Sequence, residues 1–211
     1  MALTVGPTSG TGSRTGKRVF DVCVAIAGLI LLSPLFVGIA IAIRCTSPGP
    51  ALFRQLRIGF RGRPFTILKF RTMVAGAPSL GPNVSPADDP RVTRIGAFLR
   101  RRYLDEIPQL LNVVRGDMSL VGPRPETPEF VALYTPEERR VLEVRPGMAG
   151  PSTLAFESEA KVLAGTDDPY CYYVDRLLHE RVGADLEYLE RQSFLYDLHV
   201  LVKSVLMVLE E

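Results

Sequence analysis

The chain has 211 residues, 46% of them hydrophobic, and a formal net charge of +2, a size that suits one domain with a real core and is short for two. Its three cysteines, Cys23, Cys45 and Cys171, form no C-x-x-C pair and no His/Cys cluster, so neither a disulfide framework nor a structural zinc site is indicated, and a reducing, cytoplasmic setting fits best. The small net charge hides an asymmetry: residues 1–102 hold 15 Lys+Arg against 3 Asp+Glu, and residues 103–211 hold 10 against 20, so the N-terminal half should face something anionic.

Residues 1–16 are rich in Gly, Ser and Thr, lack an apolar period and read as a disordered tail. Lys17 and Arg18 follow, and after Asp21 the 22 residues Val22–Ile43 carry no charge. As a helix they would measure roughly 33 Å at ~1.5 Å per residue, enough to cross a hydrocarbon core. The run is too long for a secretory signal peptide, and no small-residue cleavage site follows it. Ser33-Pro34 lies at its centre, where proline removes a backbone donor and bends the helix. Both flanks are basic, Lys17 and Arg18 before and Arg44, Arg54 and Arg57 after, and the positive-inside bias places both in the cytoplasm. Residues 17–46 therefore read as a re-entrant helix–break–helix, with the Ser33 hydroxyl meeting a carbonyl freed at the kink. A kinked single-pass helix is the alternative.

Residues 47–211 read as a cytoplasmic domain. Ser47-Pro48-Gly49-Pro50 supplies turn chemistry, and the apolar, β-forming runs Ala51–Ile58 and Phe65–Thr72, separated by a Gly- and Arg-rich stretch, predict a β-hairpin. Strand period puts Lys69 and Arg71 on one face, side by side, as two cations must be to hold a phosphate. Most such pairs on strands are only solvated. Val74–Asp89 reads as a mobile loop and Arg91–Arg102 as a helix, with Ile95, Phe98 and Leu99 on one side. From Arg54 to Arg102 there are 11 basic and 2 acidic residues, a density that could hold the domain on an anionic leaflet at ~1 kcal/mol per charge. No recognition motif or interleaved aromatics support nucleic acid as a partner.

In Leu104-Asp105-Glu106-Ile107-Pro108-Gln109-Leu110-Leu111-Asn112-Val113-Val114-Arg115-Gly116 the apolar residues follow helical spacing, and Gly116 is a natural C-terminal cap. Pro108 is tolerated only in a first turn, which predicts a helix starting near Asp105 with both carboxylates at its N-terminus. Acidic residues there are usually caps. Adjacent helical side chains diverge by ~100°, so one carboxylate can bind a metal while the other attacks a phosphorus. Arg124, bracketed by Pro123 and Pro125, is a positioned guanidinium or a rigid turn with an exposed cation. Thr127-Pro128 and Thr135-Pro136-Glu137-Glu138 look like helix starts. Residues 168–211 look helical, with Leu186, Leu189, Leu198, Val202 and Val205 at compatible spacings, and serve packing or an interface. An exposed amphipathic C-terminus could also serve a homodimer.

The chain resembles the bacterial sugar transferases, polyprenyl-phosphate phosphoglycosyl transferases with one re-entrant membrane helix. The resemblance rests on KRVFDV with its apolar segment and Ser33-Pro34, SPGPALFRQLRIG, FTILKFRTM, DDPRVTRIGAFLRRRYLDEIPQLLNVVRGDMSLVGPRPE and RPGMAG, in family order over roughly residues 17–150. It implies an α+β, mostly helical protein with an N-terminal re-entrant membrane helix, a short β-hairpin and interfacial helices packed on a small globular catalytic domain. It implies residence at the cytoplasmic face of the bacterial inner membrane, in contact with membrane lipids. The implied reaction moves a sugar 1-phosphate from a UDP-sugar to polyprenyl phosphate, releasing UMP, with Asp105 as nucleophile and Glu106 holding Mg²⁺. Lys69, Arg71, Arg124 and Arg100 become candidates for the phosphates. Beyond residue 150 the match weakens. A Mg²⁺-dependent membrane phosphohydrolase and a non-catalytic, membrane-docked assembly protein are the alternatives.

Overall fold

The computed structural model describes residues 11–155 and 159–210. Of the tail expected at 1–16, residues 1–10 lie outside the described residues, and from Thr11 onward the chain is helical rather than disordered. Helix α1 (Thr11–Leu31) runs into α2 (Ser33–Thr46). Among the described residues no single helix is long and apolar enough to cross a membrane; α1 from Thr15 together with α2 is, as a pair bent by 61°. The bend has the expected cause. Pro34 stands at the start of α2, and Ser33 Oγ donates to the Ile30 carbonyl at 2.8 Å, satisfying an acceptor that the break exposes.

The bent pair is two-faced. Ala25, Ile39 and Ile43 are buried in the main core, whereas Ile30 and Leu31 are 70% and 79% exposed. The segment is thus part of the domain on one side and an unpartnered apolar surface on the other.

The expected hairpin is present: β1 (Leu52–Ile58) pairs antiparallel with β2 (Pro64–Phe70), Phe53 facing Lys69 and Leu52 facing Phe70. The 74–89 loop is organised rather than loose, because Arg91 reaches back to the Ala77, Pro82 and Val84 carbonyls and to Asp89. Helix α3 (Arg94–Arg101) starts three residues later than expected because Thr93 is its cap, accepting from Gly96 N–H at 3.0 Å. A Cβ at Gly96 would stand 1.9 Å from the Thr72 carbonyl oxygen, so only glycine lets α3 approach the end of β2 this closely. The helix expected from Asp105 is divided: a short 3₁₀ turn, Leu104–Glu106, precedes α4 (Gln109–Arg115), with Pro108 at the junction. Gly116 ends α4 at φ 96°, in the left-handed conformation expected of a glycine cap.

One feature had no sequence signal. Strands β3 (Ser119–Val121) and β4 (Gly147–Ala149) pair in parallel, Ser119 opposite Gly147, each too short to show an alternation. Between them lie α5 (Pro128–Ala132) and a 3₁₀ segment, Glu138–Glu143. At the helix start expected there, Thr135 and Glu138 form a reciprocal capping pair, Glu138 accepting from Thr135 N–H and Thr135 Oγ1 from Glu138 N–H. After β4 come α6 (Pro151–Ala155), α7 (Glu159–Ala164), α8 (Pro169–Tyr172), a π turn over Tyr173–Leu177, α9 (Leu178–Arg191) and α10 (Phe194–Glu210). Leu198, Val202 and Val205, whose spacing suggested packing or an interface, are exposed on α10, whereas Val200 is buried. The main core joins α1, α2, β2, α4 and β3, with Phe70, Leu99, Val113 and Met118 at its centre; each such side chain contributes about 1.5–3 kcal/mol. A second cluster gathers Phe130, Tyr134, Leu163, Tyr173 and Leu178.

Candidate functional site

Asp105 and Glu106 occupy the turn between α3 and α4. The turn is entered through Tyr103, a non-glycine residue at φ 52°, a conformation that costs about 1–3 kcal/mol and persists only where its surroundings enforce it. Asp105 is buried and Glu106 half-buried. As expected of neighbouring residues, the two carboxylates meet different environments. Glu106 accepts from Lys69 Nζ at 2.6 Å. Burial alone would raise its pKa, but Lys69, Arg124 and the hydrogen bonds from Lys69 and Gln109 outweigh it, and Glu106 lies below the usual carboxylate range. Burial pushes Asp105 the other way: Lys69 and Arg100 pull it down, the Glu106 charge pushes it up, and it lies above that range. Adjacent acids with opposite shifts are a pair in which two roles are separated.

Three of the four candidate cations gather here. Lys69, from β2, touches Glu106. Arg124 acts on Glu106 through space and lies 3.9 Å from Glu126. Arg100, in the last turn of α3, acts on Asp105 and is held by Thr72 Oγ1 and Ser85 Oγ at 2.9 and 2.8 Å. Arg71 is elsewhere. Strand β2 ends at Phe70, and the Arg71 guanidinium donates to the Ser47 and Pro48 carbonyls and the Ser47 hydroxyl just beyond α2. Strand period placed it beside Lys69, and the Arg71 N–H does still pair with the Ala51 carbonyl at 2.8 Å, but carbonyls after a helix terminus take up the guanidinium. Ser33 and Pro34 form the bend described above, remote in sequence from the carboxylates.

Two residues outside the sequence candidates position the site. Asn112 is fully buried; its Oδ1 accepts from Leu68 N–H at 3.0 Å, and its Nδ2 donates to the Thr66 carbonyl at 2.8 Å and to Asp117. The side chain acts as a strand partner for the open edge of β2 and locks α4 to the strand carrying Lys69. Its signal was legible, since Asn112 interrupts an apolar helical stretch. Asp185, on α9, is buried and accepts from the backbone N–H groups of Arg124 and Ser152 at 3.0 and 3.4 Å, tying together the segments that follow β3 and β4. Burial raises its carboxyl to about 6. No local pattern marks it.

Among the described residues, no cluster of three or more His, Cys, Asp or Glu side chains could hold a metal ion. Mg²⁺ does not need one, because it takes one or two carboxylates and completes its shell with water and substrate phosphates. Glu106, kept ionised by its cations, has the required hard, deprotonated oxygen. The site thus brings together a buried carboxylate, a second carboxylate held ionised and three cations within electrostatic reach.

The chain is similar to known sugar transferases. A family described as "Bacterial sugar transferase" matches residues 12–211. The chain is 40% identical over 205 residues to a UDP-glucose:undecaprenyl-phosphate glucose-1-phosphate transferase of Caulobacter vibrioides, covering 95% of this chain and 72% of that protein. It is 35% identical over 207 residues to an Escherichia coli protein of the same name, covering 94% of this chain and 41% of the relative. To a UDP-N-acetylgalactosamine-undecaprenyl-phosphate N-acetylgalactosaminephosphotransferase of Aeromonas hydrophila it is 42% identical over 137 residues, covering 64% of this chain and 32% of that protein.

Proposed function

Because the chain belongs to the bacterial sugar transferase family and is a transferase, we propose that it moves a sugar 1-phosphate from a UDP-sugar to undecaprenyl phosphate through an aspartyl-linked intermediate. The names of the relatives support the two substrates, and they differ in the sugar. The observation that carries the route is the divided carboxylate pair: Asp105 buried and lifted, Glu106 held ionised by Lys69.

In this reading a carboxylate oxygen of Asp105 attacks the β-phosphorus of the UDP-sugar. The bond from that phosphorus to the bridging oxygen breaks, and UMP leaves with the oxygen. Asp105 is left as an acyl phosphate carrying the sugar. An oxygen of polyprenyl phosphate then attacks the same phosphorus, the aspartyl–phosphorus bond breaks, and the carboxylate is regenerated with the polyprenyl-diphosphate sugar as product. Mg²⁺ bound through Glu106 supplies neutralisation of phosphate oxygens. Lys69, Arg124 and Arg100 hold the remaining negative charge, and the depressed basicity of Glu106 keeps it from competing as a nucleophile.

The bent pair and its exposed apolar face support the membrane placement. A shallow re-entry, with both ends at the cytoplasmic face of the inner membrane, brings the site to the lipid boundary, where a long lipid exposes its phosphate. A tag at the N-terminus, labelled from each side, tests it; periplasmic labelling sinks this topology.

The chemistry is tested with purified protein, Mg²⁺, polyprenyl phosphate and a panel of UDP-sugars. UMP release should require the lipid acceptor for turnover, and omitting the acceptor should trap a phosphosugar mass increment on the peptide containing Asp105. A label on Glu106, or none, would falsify the roles. Turnover without acceptor and without lipid-linked sugar would mean a phosphohydrolase.

A further inference from the structure

A groove of about 600 Å³ opens between α6, α9 and α10, within the size range of small-molecule sites. Its floor is apolar, with Leu154, Val200, Leu206 and Met207. Arg191, His199 and Lys203 stand at its exposed edge, against one acid, Glu187. An apolar floor beside the two cations Arg191 and Lys203 complements an amphiphile with an anionic head. On α9, Asp185 faces Arg124 and Ser152, whereas Ala184, Glu187, Tyr188 and Arg191 line the groove; the carboxylate pair contributes nothing to it.

Two further observations identify the amphiphile. Leu206 belongs both to the groove and to the exposed apolar residues of α10, with Leu195, Leu198, Val202 and Val205, so the floor continues into a surface that water disfavours. The start of α10 is also fastened to the start of the bent helix pair: Phe194 meets Phe20 edge-on at 5.2 Å between centroids, and Lys17 pairs with Asp197 at 2.5 Å. The groove therefore sits beside the segment assigned to the membrane surface. We propose that it is a site for an anionic phospholipid, with acyl chain along the floor and headgroup phosphate among Arg191, His199 and Lys203. The proposal rests on the membrane reading above. It is not the acceptor's site, because polyprenyl phosphate must bring its phosphate to Asp105.

The chain contains no tryptophan, so Tyr196→Trp, at a half-buried position lining the groove, gives a single fluorescent reporter. The full chain in mixed micelles is titrated with phosphatidylglycerol or phosphatidylcholine brominated on the acyl chain. Quenching by phosphatidylglycerol should be half-maximal at a lipid fraction roughly tenfold lower, given the strength of Lys/Arg attraction to anionic lipid. Arg191→Gln with Lys203→Gln should erase that preference; Arg101→Gln with Arg102→Gln, exposed cations elsewhere, should keep it. Equal quenching by the two lipids, or a preference that survives loss of Arg191 and Lys203, overturns the proposal. So does displacement by substoichiometric polyprenyl phosphate, which would make the groove the acceptor's, or loss of the signal on protein dilution, which would make its occupant a second copy. The readout needs no turnover, so Asp105→Asn should retain the preference. A failed UMP assay beside a retained preference would sink the proposed reaction and leave the groove standing.

Discussion

Asp89, in the loop before α3, and Asp105, in the turn after it, are both buried aspartates near arginines. Asp89 accepts from the Arg91 backbone N–H, from Arg91 Nε and Nη2 and from the Ser85 hydroxyl, and Arg91 spends its other contacts on the carbonyls of the same loop. Burial would raise Asp89, but these bonds outweigh it and hold the carboxyl at about 2. Around Asp105, Lys69 donates to Glu106 and Arg100 to Thr72 and Ser85; both cations act on Asp105 through their charge, and burial prevails over them. The difference separates a staple from a site. A carboxylate whose charge is answered by its own loop stabilises the fold, and one whose burial outweighs the cations around it is held above the usual range, the property expected of a candidate site.

Four measurements would break or sharpen that distinction. The largest effect is expected for Asp105→Asn, which should lower kcat by at least about 10³-fold while leaving the thermal midpoint unchanged or higher; a near-native rate would erase the contrast. Arg91→Ala strands the buried Asp89 carboxylate and should cost about 4 kcal/mol, a fall of roughly 10 °C in Tm for a chain of this length, with kcat per folded molecule retained. If Arg91→Ala spared stability and lost turnover, the two aspartates would have been assigned the wrong way round.

Asp185 gives a pH-dependent test. Its carboxyl is raised from 3.8 to about 6 in the folded chain, so between those values the unfolded state ionises first. The contribution of Asp185 to stability therefore falls as pH climbs from about 4 to about 6, by on the order of 3 kcal/mol at most, and is level above. Asp89 has the opposite sign: its contribution is present above the unfolded value and is lost as pH falls towards 2. The Tm difference between Asp185→Asn and wild type should shift in the variant's favour from pH 4 to pH 7; a constant difference would show that Asp185 does not titrate in that window. The smallest effect is expected for Arg71→Lys, which gives up part of the guanidinium's hold on Ser47 and Pro48. About 2 kcal/mol of stability should be lost with no change in KM for the UDP-sugar. A raised KM would return Arg71 to the phosphates.

Much of this was legible beforehand, wherever the cause is local. Pro34 bends the helix and Ser33 answers the exposed carbonyl because both effects act within one turn. The hairpin and the Gly116 cap follow from backbone conformations that few residues permit. Asn112 carried a mark as a lone polar residue among apolar ones; what it bonds to did not, because its partners on β2 lie 44 and 46 residues away. Asp185, Tyr103 and the β3–β4 pair carried none.

The charge asymmetry shows the boundary between the two. By itself the sequence establishes a bent apolar segment, a basic N-terminal half, an Asp-Glu pair and the family to which they belong. It does not say which charges meet. Lys17 pairs with Asp197, Arg57 with Glu126 and Lys69 with Glu106, so part of the basic half is answered by the acidic half of the same chain, and Arg71 is taken up by carbonyls. Only the tertiary structure decides this. Coulomb and hydrogen-bond energies depend on distance and burial in space, and a residue's place in the sequence sets neither.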